Sequence, residues 1–157
     1  MNRKKVVPLR KIEILAEVGG VVDESGVTLV VSGRDLNPDD VTHLLRVEPT
    51  RSFKRGYKRQ LGSRPMPHGA WFLEIRGTSP KGPEVQLRKL LMKLPSSAGV
   101  WKKLRARYDV QFRFGLHMSG WNKGFGIPAA LVRRLETTGG DVNFDIYAYG
   151  DDEGPER

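Results

Sequence analysis

Residues 110–118, with the sequence VQFRFGLHM, show the clearest periodic pattern in the chain. Apolar side chains occupy every second position, and polar or small residues stand between them. Because successive side chains of a β-strand point to opposite faces of a sheet, this alternation predicts a strand with one apolar face. The opposite face would present Arg113 and His117. We therefore expect a sheet that is buried on one side and open on the other.

Three other stretches show the same alternation. They are residues 27–31, 70–77 and 142–149. Phe72 falls on the outward face of the second of these strands, and Tyr147 falls on the outward face of the third. The inward face of the third strand would carry Val142, Phe144 and Ile146, which we expect to be buried.

Helix signals separate these strands. Asn37-Pro38 begins the first helix, since asparagine favours the N-cap and proline favours the first helical position. Pro83, Ser96-Ser97 and Pro128 begin three more. The order is strand–helix–strand, a helical pair, and strand–helix–strand. It predicts an α+β fold, a ferredoxin-like variant in which a strand–helix–strand pseudo-repeat places the helices on one face of a mixed four- to five-stranded sheet.

Charge and composition indicate one domain with two short extensions. Residues 1–24 would form a basic N-terminal extension, residues 25–149 a single α+β domain, and residues 150–157 an acidic C-terminal tail. Residues 12–18 fit either a strand or a helix, because their apolar positions suit both periods. The length of 157 residues is enough for one domain with its own core.

The composition excludes several classes of site. The chain has 27 Lys and Arg against 18 Asp and Glu, a net charge of +9, which favours acidic partners. It has no cysteine, which excludes disulfides, thiolate metal sites and cysteine nucleophiles. His43, His68 and His117 lack ligand spacing, so we expect neither a metal site nor a cofactor. No apolar run suits a secretory signal or a membrane helix, so we expect a cytoplasmic protein that does not enter a membrane.

A long basic loop, residues 50–69, is the strongest candidate for a binding site. A loop of this length inside a compact domain is usually functional or mobile. We predict that it binds a partner together with the outward face of the sheet. The predicted contact residues are Arg51, Lys54, Arg55, Lys58, Arg59, Phe72, Arg113 and Tyr147.

Short motifs follow one another in a characteristic order along the core. They are Val27 to Gly33, Asp35-Leu36-Asn37-Pro38, Val47-Glu48-Pro49-Thr50, Gly56, Gly69-Ala70-Trp71 and Phe144-Asp145-Ile146-Tyr147. Their order and spacing resemble the bacterial domain-of-unknown-function family numbered 4279. The resemblance covers about residues 27–148. It implies one compact bacterial domain and assigns no catalytic residue.

The outward face also permits acid–base chemistry. Glu74, Asp145, His117 and Arg113 fall on that face, and they would converge if their strands were neighbours. A ladder of cross-strand charge pairs explains the same residues. The enzyme hypothesis therefore requires a cavity that gathers His117, Asp145 or Glu74.

A glycine-rich segment before the fourth helix is a weaker candidate. Gly120, Gly124 and Gly126 could offer backbone amides to a phosphate. Their spacing fits neither the Walker pattern nor the dinucleotide pattern. A flexible connection explains the segment better.

The leading hypothesis is a non-catalytic binding module for a protein partner or a second copy of the chain. Aromatic residues and arginine, both present on the outward face, are favoured at the centre of interfaces. Single-stranded nucleic-acid binding is an alternative, since Phe72, Tyr147 and Tyr149 near Arg76 and Arg113 could stack bases. The third possibility is an enzyme that acts on an anionic small molecule.

Overall fold

A computed structural model describes residues 20–120 and 122–149 of the chain. Within these residues the strands are β1 (Gly20–Val21), β2 (Glu24–Gly33), β3 (Arg51–Phe53), β4 (Gly69–Thr78), β5 (Asp109–Met118), β6 (Lys123–Gly124) and β7 (Asp141–Ala148). The helices are α1 (Pro38–Leu45), α2 (Pro83–Met92), α3 (Ala98–Arg105) and α4 (Ala129–Thr138). Over the same residues, no helix has both the length and the apolar content that crossing a membrane requires.

The main sheet has five strands in the order β3-β4-β2-β5-β7. The central strand β2 pairs antiparallel with both β4 and β5, whereas β7 pairs parallel with β5 at one edge. A separate short parallel pair joins β1 and β6. The predicted α+β class and mixed sheet are confirmed. The closer likeness to ferredoxin-like folds stays a prediction.

The two strand–helix–strand units differ in the relative direction of their strands. β2 and β4 are antiparallel neighbours, whereas β5 and β7 are parallel neighbours. The cause is β3, which follows α1 and brings the chain back to the end of the sheet where β2 stops. β4 must then run antiparallel to β2. Side-chain alternation in a sequence does not encode strand direction, so the alternation does not predict this difference.

The helices cover one face of the sheet. Inward residues such as Leu29, Trp71 and Phe112 are fully buried in one apolar cluster with residues of all four helices. The indole N–H of Trp71 donates to the Thr42 hydroxyl oxygen at 3.0 Å, which ties α1 to β4. The core therefore lies between the helices and the inward face of the sheet.

The edge strand β7 departs from the predicted burial. Phe144 stacks on the buried Phe114, with ring centroids 4.9 Å apart, so this side of β7 faces the helices. Even so, Val142, Phe144 and Ile146 are 39%, 44% and 59% exposed. The expectation that they are buried is wrong, because α4 packs against α2 and α3 and leaves the edge strand uncovered.

The basic loop is shorter than predicted, because Arg51–Phe53 form β3 against β4. In the predicted N-terminal extension, Gly20 and Val21 form β1. The domain limits at 25 and 149 stay a prediction. Residues 1–19, which include the ambiguous stretch 12–18, and the predicted acidic tail lie outside the described residues.

Candidate functional site

The face of the main sheet opposite the helices is open and contains a shallow concavity of about 400 Å³. Outward residues of β2, β4, β5 and β7 line it, together with Thr50 and Arg51 beside β4. We call this surface the open face. It is the surface that the alternation of the strands predicts.

Two glycines form the floor of the concavity. Gly26 of β2 and Gly115 of β5 are direct partners in the strand register. A Cβ atom at Gly115 would meet no other atom within 4 Å, so there is empty space above this residue. A Cβ atom at Gly26 would lie at ordinary contact distance, 3.5 Å, from the Arg76 Cγ. The missing side chains at these two positions leave the middle of the open face hollow.

Charged side chains surround this floor. The Arg76 Nε–H donates to Glu74 Oε1 at 2.9 Å, and this hydrogen bond with its charge attraction raises the pKa of Arg76. Arg113 donates through Nε and Nη2 to Gln111 Oε1 at 3.2 and 3.0 Å. Because Gln111 is neutral, this contact orients the Arg113 guanidinium without offsetting its charge. An oriented guanidinium is well suited to a carboxylate or a phosphate.

An aromatic row borders the open face on the β3 side. The rings of Phe53 and Phe72 lie with centroids 5.9 Å apart, and Tyr57 stacks on Phe53 at 5.3 Å. The guanidinium carbon of Arg51 lies 4.3 Å from the centre of the Phe72 ring, which is within cation–π distance. These contacts attach the segment that follows β3 to the open face.

A second aromatic row borders the open face on the β7 side. His117 and Tyr147 stack with centroids 4.8 Å apart, and the Tyr149 ring lies 6.2 Å from His117. Tyr147 and Tyr149 are 48% and 64% exposed, so both rings remain available to a ligand. The glycine floor thus lies between two rows of aromatic side chains.

Residues 54–68 form a hairpin-like arm, which we call the basic hairpin. The Gly56 N–H donates to the Met66 carbonyl, and the Met66 N–H donates to the Tyr57 carbonyl, both at 2.8 Å. Gly62, with φ of 83°, supplies the left-handed residue near its tip, where Leu61 is fully exposed. The exposed cations of the basic hairpin are Lys54, Arg55, Lys58, Arg59 and Arg64.

A polar cluster holds the glycine-rich segment at one end of the main sheet. The Ser119 N–H donates to Asp23 Oδ2 at 2.6 Å, and the Lys123 ammonium donates to Asp23 Oδ1 at 3.1 Å. These donors, first the Ser119 amide, hold the pKa of Asp23 below its usual value of 3.8. The segment is therefore tied to the chain that leads into β2.

The predicted contact residues fall into two neighbouring regions. Arg51, Phe72, Arg113 and Tyr147 line the concavity. Lys54, Arg55, Lys58 and Arg59 lie in the basic hairpin and do not line it. The sequence reasoning missed the floor, Gly26 and Gly115. The available signal was a glycine at an outward position, where it interrupts a row of polar side chains.

The acid–base candidates also meet in the concavity. Glu74, His117 and Asp145 line it together with Arg113. This is the kind of cavity that the enzyme hypothesis requires, so that hypothesis stays a prediction. Glu74 accepts a hydrogen bond from Arg76, and His117 stacks on Tyr147, so packing explains their positions equally well. In residues 20–120 and 122–149 no group of three His, Asp or Glu side chains could hold a metal ion.

One protein-family model covers both the concavity and the basic hairpin. Residues 23–149 match the family model DUF4279, which is described as a domain of unknown function. The chain belongs to the DUF4279 family. The resemblance seen in its short motifs is confirmed. No curated protein and no solved structure matches the chain. The concavity and the basic hairpin both lie within the DUF4279 domain.

Proposed function

We propose that this DUF4279 domain is a binding module that engages an acidic protein partner through the basic hairpin and the open face beside it. The observation that carries the proposal is the basic hairpin itself. Its five cations are exposed and flank in the sequence an exposed apolar residue, Leu61, near the tip. Cations and an apolar anchor on one projecting arm suit a partner with an acidic surface and a small apolar pocket.

The chain itself offsets little of this charge within the described residues. The ion pair of the basic hairpin joins Arg55 to Asp35 across 3.8 Å, and these side chains are 50% and 87% exposed. An exposed pair of this kind contributes at most about 1 kcal/mol. The positive field of the arm therefore remains available to attract an acidic partner.

The tip residue favours a protein over a nucleic acid as the partner. Leu61 projects its whole side chain into solvent. Burial of a leucine side chain contributes about 1.5–3 kcal/mol, and an apolar pocket of a protein can provide that burial. Phosphates contact the cations but offer no apolar pocket to the leucine, so a protein surface explains this residue better.

Aromatic packing at the base of the basic hairpin favours a segment that is ordered before it binds. Tyr57, Phe53 and Phe72 pack in sequence from the arm onto the sheet, and Arg51 covers the Phe72 ring. A segment that is ordered before binding loses less conformational freedom when it binds. The aromatic rings and Arg51 also belong to the residue types that dominate binding energy at interfaces.

Charge reversal of the arm tests the proposal. The purified full chain would capture partners from an extract of the source organism, and mass spectrometry would identify them. The binding of one purified partner is then compared with that of the variant Lys54→Glu, Arg55→Glu, Lys58→Glu and Arg59→Glu. At low salt we expect the association rate to fall by roughly a hundredfold or more. Leu61→Ser should weaken the affinity by about ten- to a hundredfold.

A matched control separates a local effect from the overall charge. The control reverses four exposed cations in α2, in α3 and in the turn before α2, which are Lys81, Arg88, Lys89 and Lys103. It changes the net charge by the same amount and should keep most of the affinity. Both variants should retain the melting temperature of the natural chain within a few degrees. Full-strength binding by the hairpin variant, or equal losses in both variants, would end the proposal.

Single-stranded nucleic-acid binding is a second candidate, and the two aromatic rows favour it. Rings such as Tyr147 and Tyr149 could stack bases while Arg113 contacts a phosphate. If about six cations contacted phosphates, the affinity would fall roughly a thousandfold between about 50 and 200 mM salt. A titration with a labelled oligonucleotide measures this directly. Steep salt dependence supports this candidate, and no binding at low salt rejects it.

A further inference from the structure

The edge strand β7 carries an apolar strip that the described chain leaves uncovered. Val142, Phe144 and Ile146 lie on the helix side of the strand and are between 39% and 59% exposed. Phe125 extends the strip, since its ring lies 6.0 Å from that of Phe144 and is itself 37% exposed. Contiguous apolar surface of this kind marks interaction sites on folded proteins.

The same strand lacks the usual protection of a sheet edge. Proteins commonly protect an exposed edge with lysine, proline or a very short strand. The opposite edge follows this rule, because β3 has only three residues and includes Arg51. β7 has eight residues, DVNFDIYA, without a lysine, an arginine or a proline. Its outer edge can therefore pair with another strand.

We propose that β7 is a self-association edge, at which a second copy of this chain adds its own β7 in antiparallel register centred on Phe144. The pairing is symmetric, so each contact occurs twice. Phe144 then lies opposite Phe144 of the second copy, and Val142 lies opposite Ile146. On the other face, Asn143 lies opposite Asp145, and Asp141 lies opposite Tyr147. Partners directly opposite in an antiparallel pair share one face of the sheet, so the two apolar strips join.

The charges of β7 select this register among its neighbours. A shift by one residue would place the apolar side of one copy beside the polar side of the other. Centring the pair on Asn143 would place Asp141 opposite Asp145 of the second copy. Centring the pair on Asp145 would place the Asp145 carboxylate opposite Asp145 of the second copy. Like charges directly opposite are destabilising, and the register centred on Phe144 avoids them.

The proposed dimer is independent of the proposed function and compatible with it. Because the register keeps the faces aligned, the two main sheets would form one sheet of ten strands. Both open faces would lie on the same side. The two basic hairpins, each of which joins β3 to β4, would lie toward the outer ends of this sheet.

Two substitutions at one position test the register. Asn143 is the partner of Arg113 in the strand register of the monomer. Asn143→Asp would place two pairs of carboxylates opposite each other in the dimer, and we expect the dissociation constant to rise roughly two- to thirtyfold. Asn143→Lys should lower it by a similar factor. Within one copy Asp would attract Arg113 but would lie beside Asp141 and Asp145 on the same face of β7, and Lys would do the opposite, so these contributions largely cancel. The melting temperature of each variant, measured at a concentration at which the chain is monomeric, shows whether monomer folding has changed.

Sedimentation velocity of the full chain across the micromolar range measures these constants. Ile146→Lys should abolish the dimer, whereas Met92→Lys, at an exposed apolar residue of α2, should leave it unchanged. The hairpin charge-reversal variant should still dimerise, so the dimer can be tested even if the proposed function fails. A chain that remains monomeric, or a dimer insensitive to both Asn143 substitutions, would overturn the proposal. Slow hydrogen exchange in a monomer of those β7 amides that point away from β5 would overturn it too, and would assign the edge to another segment of the same chain.

Discussion

Replacing Gly115 with valine should stabilise the DUF4279 domain and at the same time fill the concavity of the open face. Gly115 lies in the middle of β5, on the face away from the helices. A Cβ atom there would meet nothing within 4 Å. The new side chain would therefore enter space that a ligand or a partner side chain could otherwise use.

The expected gain in stability follows from the strand environment. Glycine in a strand interior is less favourable than alanine by about 0.5–1 kcal/mol, because it loses more backbone freedom on folding. β-branched residues are favoured in strands on a scale that spans about 1 kcal/mol. We expect the free energy of unfolding to increase by about 1 kcal/mol. For a chain of this size that corresponds to a rise in melting temperature of about 2–4 °C.

Gly69→Ala provides the contrasting control. A Cβ atom at Gly69 would lie 2.8 Å from the Leu36 carbonyl oxygen, which is backbone and cannot move aside freely. Forced shifts of this kind usually cost about 1–3 kcal/mol. Thermal melting should therefore move in opposite directions for the two glycine substitutions.

Two measurements test the prediction for Gly115→Val. Melting followed by circular dichroism tests the stability, and binding of the purified partner tests the use of the concavity. A lower melting temperature for Gly115→Val would show that the glycine is needed for packing and that the space above it is not free. Unchanged partner affinity in a stable Gly115→Val variant would remove the concavity from the binding surface and leave the basic hairpin alone.

Two further predictions concern the polar contacts that hold the fold. Because the pKa of Asp23 in the folded chain lies below 3.8, its carboxylate stabilises the fold above that pH, and the stabilisation is lost as the pH falls through the lowered pKa. Asp23→Asn should therefore reduce the acid-induced fall in melting temperature, and identical pH profiles for the two chains would contradict the assignment. Trp71→Phe should lower the free energy of unfolding in urea by about 2 kcal/mol, since it removes the hydrogen bond to Thr42 and leaves a void beside α1. A loss below about 0.5 kcal/mol would show that the indole contact is unimportant.

Local patterns predicted the elements of this fold well, because periodicity and capping depend on neighbouring residues. The alternation in residues 110–118 became β5, and Asn37-Pro38 stands at the start of α1. The Asn37 side chain, however, donates to the Asp40 carboxylate at 3.2 Å and makes no cap hydrogen bond to the backbone. The alternation in residues 142–149 indicates which side Phe144 occupies but not whether a helix covers it. That depends on where α4 packs, which is a non-local property.

Strand alternation predicts which side chains lie on the open face, but it does not predict the shape of that face. Arg113 and Tyr147 were placed on the outward face by strand alternation, and both line the concavity. The pairing of Gly26 with Gly115 depends on the register of strands that are far apart in the sequence. No local signal reports such a register. The short strand β3 has a different cause for its absence from the prediction, since three residues carry too little periodicity to distinguish a strand from a loop.

The central place of β2 affects how the protein can form on the ribosome. One long edge of β2 pairs with β4, but the other pairs with β5, which ends at Met118. At synthesis rates of about 5–20 residues per second, the roughly 40 residues between the end of β4 and the end of β5 take about two to eight seconds to emerge. During that interval the nascent chain has an unpaired strand edge beside the apolar side chains of Val27, Leu29 and Val31. A chaperone that shields extended apolar segments would therefore bind at β2, before β5 has been synthesised.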